Sequence, residues 1–188
     1  MRTSEVQISI LRRGMFRASF HGIRAALKLL EFVDARRYMH LYSKLLGRAG
    51  LKFTGEPRYI ASDVKFDNPS LITIGENSVV SARVIFLTHD YSLTTALRAI
   101  GNPPDTDLAA NAGIRIEDNV FIGMGAILLP GTLVKKDSIV GAGAVVRGTV
   151  EAGSIMVGNP ALRIEGIYDT ADKWRRKAMR DGVTRDRK

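Results

Sequence analysis

There is no cysteine among the 188 residues of this chain. Neither a disulfide framework nor a Cys-ligated zinc site can be built. No run of about 18 apolar residues occurs, so no membrane-spanning helix is expected. Residues 1–20 are interrupted by Arg12, Arg13 and Arg17, and no small-residue cleavage site follows a clean apolar stretch. They do not read as a secretory signal. The lack of cysteine fits a reducing compartment, and a cytoplasmic location is expected. Histidine is scarce as well: His21, His40 and His89 are all there is.

Acidic residues are few relative to basic ones, which gives a net charge of +9. The imbalance is uneven. Residues 1–58 hold 12 basic and 4 acidic residues (+8), residues 59–165 hold 8 and 11 (−3), and residues 166–188 hold 8 and 4 (+4). The positive charge belongs to the two ends, not to the middle. It lacks a nucleic-acid reading module or interleaved aromatics, so nucleic acid is not an expected partner.

What is present is a rhythm of six. From Ile116 the chain steps through Ile122, Leu128, Val134, Val140, Val146 and Ala152, each aliphatic or Ala. The position four residues after each stop is mostly small or β-branched: Val120, Ala126, Thr132, Ser138, Ala144, Val150, Met156. Ile74, Val80 and Phe86 keep the same beat upstream, and Ile60 and Phe66 form an early pair before a two-residue slip at Leu71–Thr73. A helix needs a period near 3.6 and an ordinary strand a period of 2. A hexapeptide period signals a β-helix.

Three further segments break or flank the rhythm. Residues 6–48 read as helical, with an apolar stripe Leu27, Leu30, Val33, Leu41, Leu45 that Arg37 interrupts. Gly14 and Gly22 predict a break in its first half, and Gly47 and Gly50 a stop. Residues 92–115 interrupt the beat for 24 residues with the turn-forming Gly101-Asn102-Pro103-Pro104-Asp105. Loops inserted into a solenoid gather on one working face. Asp169–Arg180 reads as a short basic helix, followed by a tail, Thr184–Lys188.

Several strings carry a resemblance. Leu71-Ile72-Thr73-Ile74-Gly75-Glu76-Asn77 leads into the first full turn, and Phe86-Leu87-Thr88-His89-Asp90 precedes the interruption. Ile116-Glu117-Asp118-Asn119-Val120-Phe121-Ile122-Gly123 restarts the repeats, and Val140-Gly141-Ala142-Gly143-Ala144 and Val157-Gly158-Asn159-Pro160-Ala161 close them. Together they resemble the hexapeptide-repeat acyltransferases, which include galactoside, maltose and serine acetyltransferases. The nearest likeness is to O-acetyltransferases of bacterial polysaccharide pathways. The resemblance implies a mainly β fold, a left-handed parallel β-helix with a helical segment before it and a short helix after it. It divides the chain into a basic helical segment (1–57), a β-helix (58–166, with the 92–115 insertion) and a basic helix and tail (167–188). It also implies a homotrimer, with acetyl-coenzyme A lying in the groove between two neighbouring prisms.

Acyl transfer to a hydroxyl needs a base, and imidazole titrates in the right range. His89 is the only histidine in the repeats, and its place in the strand points it outward, toward a groove. Asp90 either orients His89 through the second ring nitrogen or closes the corner through backbone hydrogen bonds. The resemblance assigns the backbone N–H of Met124, between Gly123 and Gly125, to the oxyanion. It places the pantetheine arm along these glycines and along Ala142 and Gly143. Arg147-Gly148 stands where the family commonly has Thr-Lys, and Leu162 where a basic residue usually follows Asn-Pro-Ala. Arg147 and Arg163 are then the nearest phosphate partners. Asn111 and Arg98 of the insertion are the expected acceptor contacts.

The expected function is therefore O-acetylation of a sugar or glycan precursor by direct attack on acetyl-coenzyme A, without a metal. An amine or serine acceptor, and a non-catalytic scaffold, are the alternatives. Carbonic anhydrases built on the same β-helix need three histidines around zinc, and only His89 lies in the repeats. The basic N-terminal segment has two readings, a cap packed on the solenoid end or a contact with an anionic membrane.

Overall fold

A computed structural model describes residues 22–182. The expected helix over 6–21, the break at Gly14, His21 and the tail 184–188 lie outside those residues. Within them, 17 strands form three sheets and one short ribbon, beginning at Lys52–Phe53. Most strands are only two residues long, because a corner falls in every hexapeptide.

The first sheet stacks Lys52–Phe53, Ile72–Ile74, Ile114–Ile116, Leu133–Val134 and Thr149–Val150 in parallel. The second stacks Tyr59–Ile60, Val79–Val80, Phe121–Ile122, Ile139–Val140 and Ser154–Val157. The third stacks Lys65–Phe66, Ile85–Phe86, Ile127–Leu128 and Val145–Val146. The chain visits the sheets in that order on each coil, making a three-sided, left-handed parallel β-helix.

Register shows why the beat survives its interruptions. Ile122 pairs with Val140, 18 residues on, which is one coil. Ile60 pairs with Val80, 20 residues on, so the slip adds two. That slip is a 3-10 turn at Pro69–Leu71, which leaves Ser70 exposed. Val80 pairs with Ile122, 42 residues on, one coil plus the 24-residue insertion. The beat residues Ile116, Ile122, Leu128, Val134, Val140 and Val146 are all buried, as are Val120, Ala126, Thr132, Ser138 and Ala144 between them. Buried hydroxyls at the corners find carbonyls: Ser78 Oγ donates to Glu117 O at 2.9 Å and Ser138 Oγ to Glu151 O at 3.1 Å.

The beat ends one step early. Ala152 is exposed, and Val150 takes the core position above Val134. The corner at Arg147-Gly148 is short, so Val134 and Val150 are only 16 residues apart. A strand the period did not announce, Leu162–Gly166, then turns back antiparallel on Ser154–Val157.

Residues 22–33 form helix α1 and Ala35–Arg48 form α2. Gly22 is helical and is the first of the described residues. The break falls at Asp34, whose extended backbone and carboxylate cap the Arg37 N–H at 3.0 Å. Because the break changes the helical phase, the expected stripe is only partly buried. Leu27 and Leu45 are inside, but Val33 and Leu41 are exposed, and Tyr38, Met39, Tyr42 and Leu46 form the packed face. These close the lower end of the prism, where the Tyr38 hydroxyl donates to Ile60 O at 2.8 Å. Burial raises the Tyr38 hydroxyl well above its ordinary range and pushes Tyr42 up to about 12.

The insertion is not structureless. Ser92–Ala99 form helix α3, and His89–Asp90 pair antiparallel with Ala110–Asn111. The C-terminal helix α4 spans Ile167–Asp181. Among the described residues no helix is long and apolar enough to cross a membrane.

Candidate active site

The strand that leaves the third sheet carries the site. Leu87 N–H still bonds Leu128 O at 2.9 Å, and Thr88 turns fully inward. His89 then faces outward, with its side chain 42% exposed. Its backbone is held in the ribbon opposite Asn111. Residues directly opposite in an antiparallel pair share a face, so the Asn111 side chain flanks the imidazole. Tyr91 presents its ring at 81° to the imidazole, with centroids 5.4 Å apart.

Nδ1 of His89 meets Oδ2 of Asp67. The same oxygen accepts the Thr88 N–H at 3.0 Å and the Thr88 hydroxyl at 2.7 Å. A carboxylate only accepts, so Nδ1 carries a proton and Nε2 of the neutral ring is left as the acceptor. Partial burial works to raise the Asp67 carboxyl, but the hydrogen bonds from Thr88 and His89 outweigh it and hold the group below its ordinary value.

Asp90 does not make the orienting bond. Its Oδ1 accepts the Ser92 N–H at 2.8 Å at the start of α3. That bond, with the Ser92 side chain and the Arg147 charge, lowers the Asp90 carboxyl. Of the two roles weighed for Asp90, the structure places the orienting bond on Asp67 and a backbone bond on Asp90. Arg98 is engaged within the insertion, donating to Asp107 at 2.8 Å. Thr94 and Leu108 tie the two arms of the insertion together.

A second edge, between the second and third sheets, stacks the corners at Ala82, Met124 and Ala142. Gly125 N–H bonds Ala82 O at 3.0 Å, and Gly143 N–H bonds Met124 O at 2.8 Å. Gly123 N–H bonds Val140 O at 2.7 Å. The N–H groups of Met124 and Ala142 have no partner among the described residues. Gly123 is required for close stacking, since a Cβ there would lie 2.5 Å from Ala142 N. Gly125 and Gly143 (both φ 69°) face open space. An extended ligand with amide acceptors would find a narrow, donor-bearing edge here, which suits a pantetheine arm.

Arg147 and Arg163 are both exposed. Arg147 follows the third sheet at the edge of Asp90, whereas Arg163 lies on the last strand of the second sheet, opposite Met156. Among the described residues no three of His, Cys, Asp or Glu group to hold a metal ion.

Residues 113–148, the restarted repeats, match the family described as bacterial transferase hexapeptide (six repeats). These residues carry the hexapeptide repeats of that family, and the rest of the chain lies outside the match. The chain is 36% identical over 102 residues to a Schizosaccharomyces pombe protein provisionally named acetyltransferase C18B11.09c, covering 54% of this chain and 46% of that one. It is 26% identical over 106 residues to Escherichia coli K12 WbbJ, provisionally named a lipopolysaccharide biosynthesis O-acetyl transferase, covering 55% and 54%. The chain spans about half the length of these relatives. A galactoside acetyltransferase solved in complex with coenzyme A shares the fold at a TM-score of 0.56 and 19% identity, covering 83% of this chain and 84% of that one.

The site residue that sequence reasoning missed is Asp67. It sits 22 residues before His89, on the coil beneath. Its signal was available in the early repeat pair: aligning Phe66 under Phe86 brings Asp67 to the edge that Leu87 and Thr88 share.

Proposed function

We propose that this chain is a hexapeptide-repeat acyltransferase, an acetyl-coenzyme A-dependent O-acetyltransferase acting on a hydroxyl of a sugar or glycan precursor. The observation that carries the reading is the Asp67–His89 pair, exposed beside the insertion with Asn111 on the same face. His89 Nε2 takes the acceptor hydroxyl proton as its oxygen attacks the thioester carbonyl carbon. The carbon–sulfur bond breaks, and the coenzyme thiolate takes that proton back from the imidazolium. The products are an acetyl ester and free coenzyme A, and no group stays on the protein. A covalent route is disfavoured because the chain has no cysteine. Asp67, ionised at neutral pH, stabilises the imidazolium while it lasts. The Met124 N–H serves the oxyanion, Gly123, Gly125, Ala142 and Gly143 line the pantetheine path, and Arg147 or Arg163 meets the phosphates.

The working form is a homotrimer. Met124 precedes Ile127–Leu128 and His89 follows Ile85–Phe86, and these strands pair in parallel register. The two groups therefore sit at opposite ends of the third sheet, on the order of 15 Å apart at about 3.3 Å per strand residue. One reacting centre must lie within about 3 Å of both base and oxyanion donor. A neighbouring prism that brings its Met124 edge to this His89 edge supplies both.

The test is single-turnover release of coenzyme A from acetyl-coenzyme A across nucleotide sugars and glycan fragments, with His89→Ala beside the wild type. Acceptor-dependent release that collapses in the variant supports the reading. Release that survives removes His89 as the base. The absence of both release and coenzyme binding sinks the acetyltransferase reading.

A further inference from the structure

Helix α1 turns a largely apolar outer face to water. Two of its polar side chains, Arg24 and Glu31, face the prism. Arg24 Nη2 donates to Val64 O at 2.7 Å, and Glu31 accepts the Tyr59 hydroxyl and the Ser62 N–H. Leu27 packs inward, but three large apolar side chains face out: Leu29, Phe32 and Val33 are 75%, 81% and 84% exposed. A helix docked on a soluble core buries its apolar stripe and shows its polar one. The apolar surface continues onto α2, where exposed Leu41 shares a shallow groove with Leu30, Arg36, Arg37 and His40.

Charge says what covers this face. Residues 22–48 hold six cations, Arg24, Lys28, Arg36, Arg37, Lys44 and Arg48, against two acids, Glu31 and Asp34. Both acids are committed, Glu31 to the prism and Asp34 to Arg37 at 3.3 Å. Lys28, Arg36, Lys44 and Arg48 are exposed around the apolar stripe. The preceding residues add Arg2, Arg12, Arg13 and Arg17 against Glu5 alone. A second copy of the chain on this face would set the positive rim against itself, which like charges oppose. A large apolar stripe edged by Lys and Arg suits the boundary between acyl chains and anionic headgroups.

We propose that α1 and the start of α2 lie on an anionic lipid surface. Leu29, Phe32, Val33 and Leu41 enter the acyl boundary, while Lys28, Arg36 and Lys44 meet the lipid phosphates. The prism then stands on the membrane by its lower end, independently of what it catalyses.

The test is sedimentation of the full chain with vesicles of phosphatidylcholine alone and of phosphatidylcholine mixed with phosphatidylglycerol. Binding is expected to the anionic vesicles and to fall with salt. Phe32→Ser with Val33→Ser should weaken it at least about tenfold. Lys28→Gln with Arg36→Gln should weaken it roughly thirtyfold at low salt, about fivefold per charge. All four side chains are exposed, and circular dichroism checks that each variant folds. Because the chain has no cysteine, Phe32→Cys gives a single labelling site for a polarity-sensitive dye, whose emission should shift to the blue on the anionic vesicles. Equal binding to both vesicle types, or undiminished binding by either double variant, overturns the proposal. So does a change in the mass of the protein in solution when Phe32 and Val33 are replaced, since the face would then belong to another copy of the chain.

Discussion

The carboxylate of Asp67 holds Nδ1 of His89 from the coil beneath, across 22 residues of sequence. Thr88, between the beat and the histidine, gives its N–H and hydroxyl to the same oxygen. Three donors thus converge on one acceptor, and the imidazole cannot turn without breaking a bond to a partly buried charge. That relationship sets the first two predictions.

Replacing His89 with Ala should lower acceptor-dependent coenzyme A release by about 10²–10⁴-fold, the usual contribution of a positioned base. Coenzyme binding, followed by calorimetry, should persist because the pantetheine edge is separate.

Asp67→Asn should lower the turnover rate by about 10²–10⁴-fold, the upper end being what a misoriented triad base costs. A merely structural Asp67 would act in addition to His89. A positioning Asp67 acts through it, so Asp67→Asn with His89→Ala should be no slower than His89→Ala alone.

Acid should loosen this edge in a defined direction. The Asp67 and Asp90 carboxyls are both held below their ordinary value of 3.8. A depressed carboxyl stabilises the fold above its unfolded value, and that stabilisation is lost as pH falls through the lower folded value. Urea midpoints should therefore decline as pH drops below about 4. The decline should be shallower in Asp67→Asn.

Two glycines on the second edge should behave differently. In Gly123→Ala the new Cβ would sit 2.5 Å from Ala142 N and 2.8 Å from Gly141 C. Backbone cannot step aside, and a loss of about 1–3 kcal/mol is expected. Gly143→Ala meets open space and suffers only its φ of 69°, at about 1 kcal/mol. Thermal midpoints of the two variants, compared with wild type, check the order.

Much of the prism was legible before any coordinates. Ile122 and Val140 are core partners one coil apart because a six-residue side puts one aliphatic residue inward per face. The 24 residues of interruption reappear in the register of Val80 with Ile122. Ala152 falls off the beat because the short corner at Gly148 cuts the coil by two residues, a length that a fixed period cannot report. The site was legible only in part. His89 stood out as the lone histidine of the repeats, but its orienting partner was sought next door, at Asp90. A neighbour in the chain points to another face of the strand, whereas the same edge one coil below comes round to it.

The sequence by itself determined the repeating coil, since a period of six with one inward aliphatic residue admits neither a helix nor a flat sheet. It also determined where the rhythm stops and which histidine accompanies the stop. Only the tertiary structure decided that Asp67 reaches His89, that Met124 stands at the far end of the same sheet, and that α1 turns Phe32 outward. Each of these depends on which residue lies above which. That is set by the accumulated lengths of slips, corners and breaks, quantities that no single stretch of sequence contains.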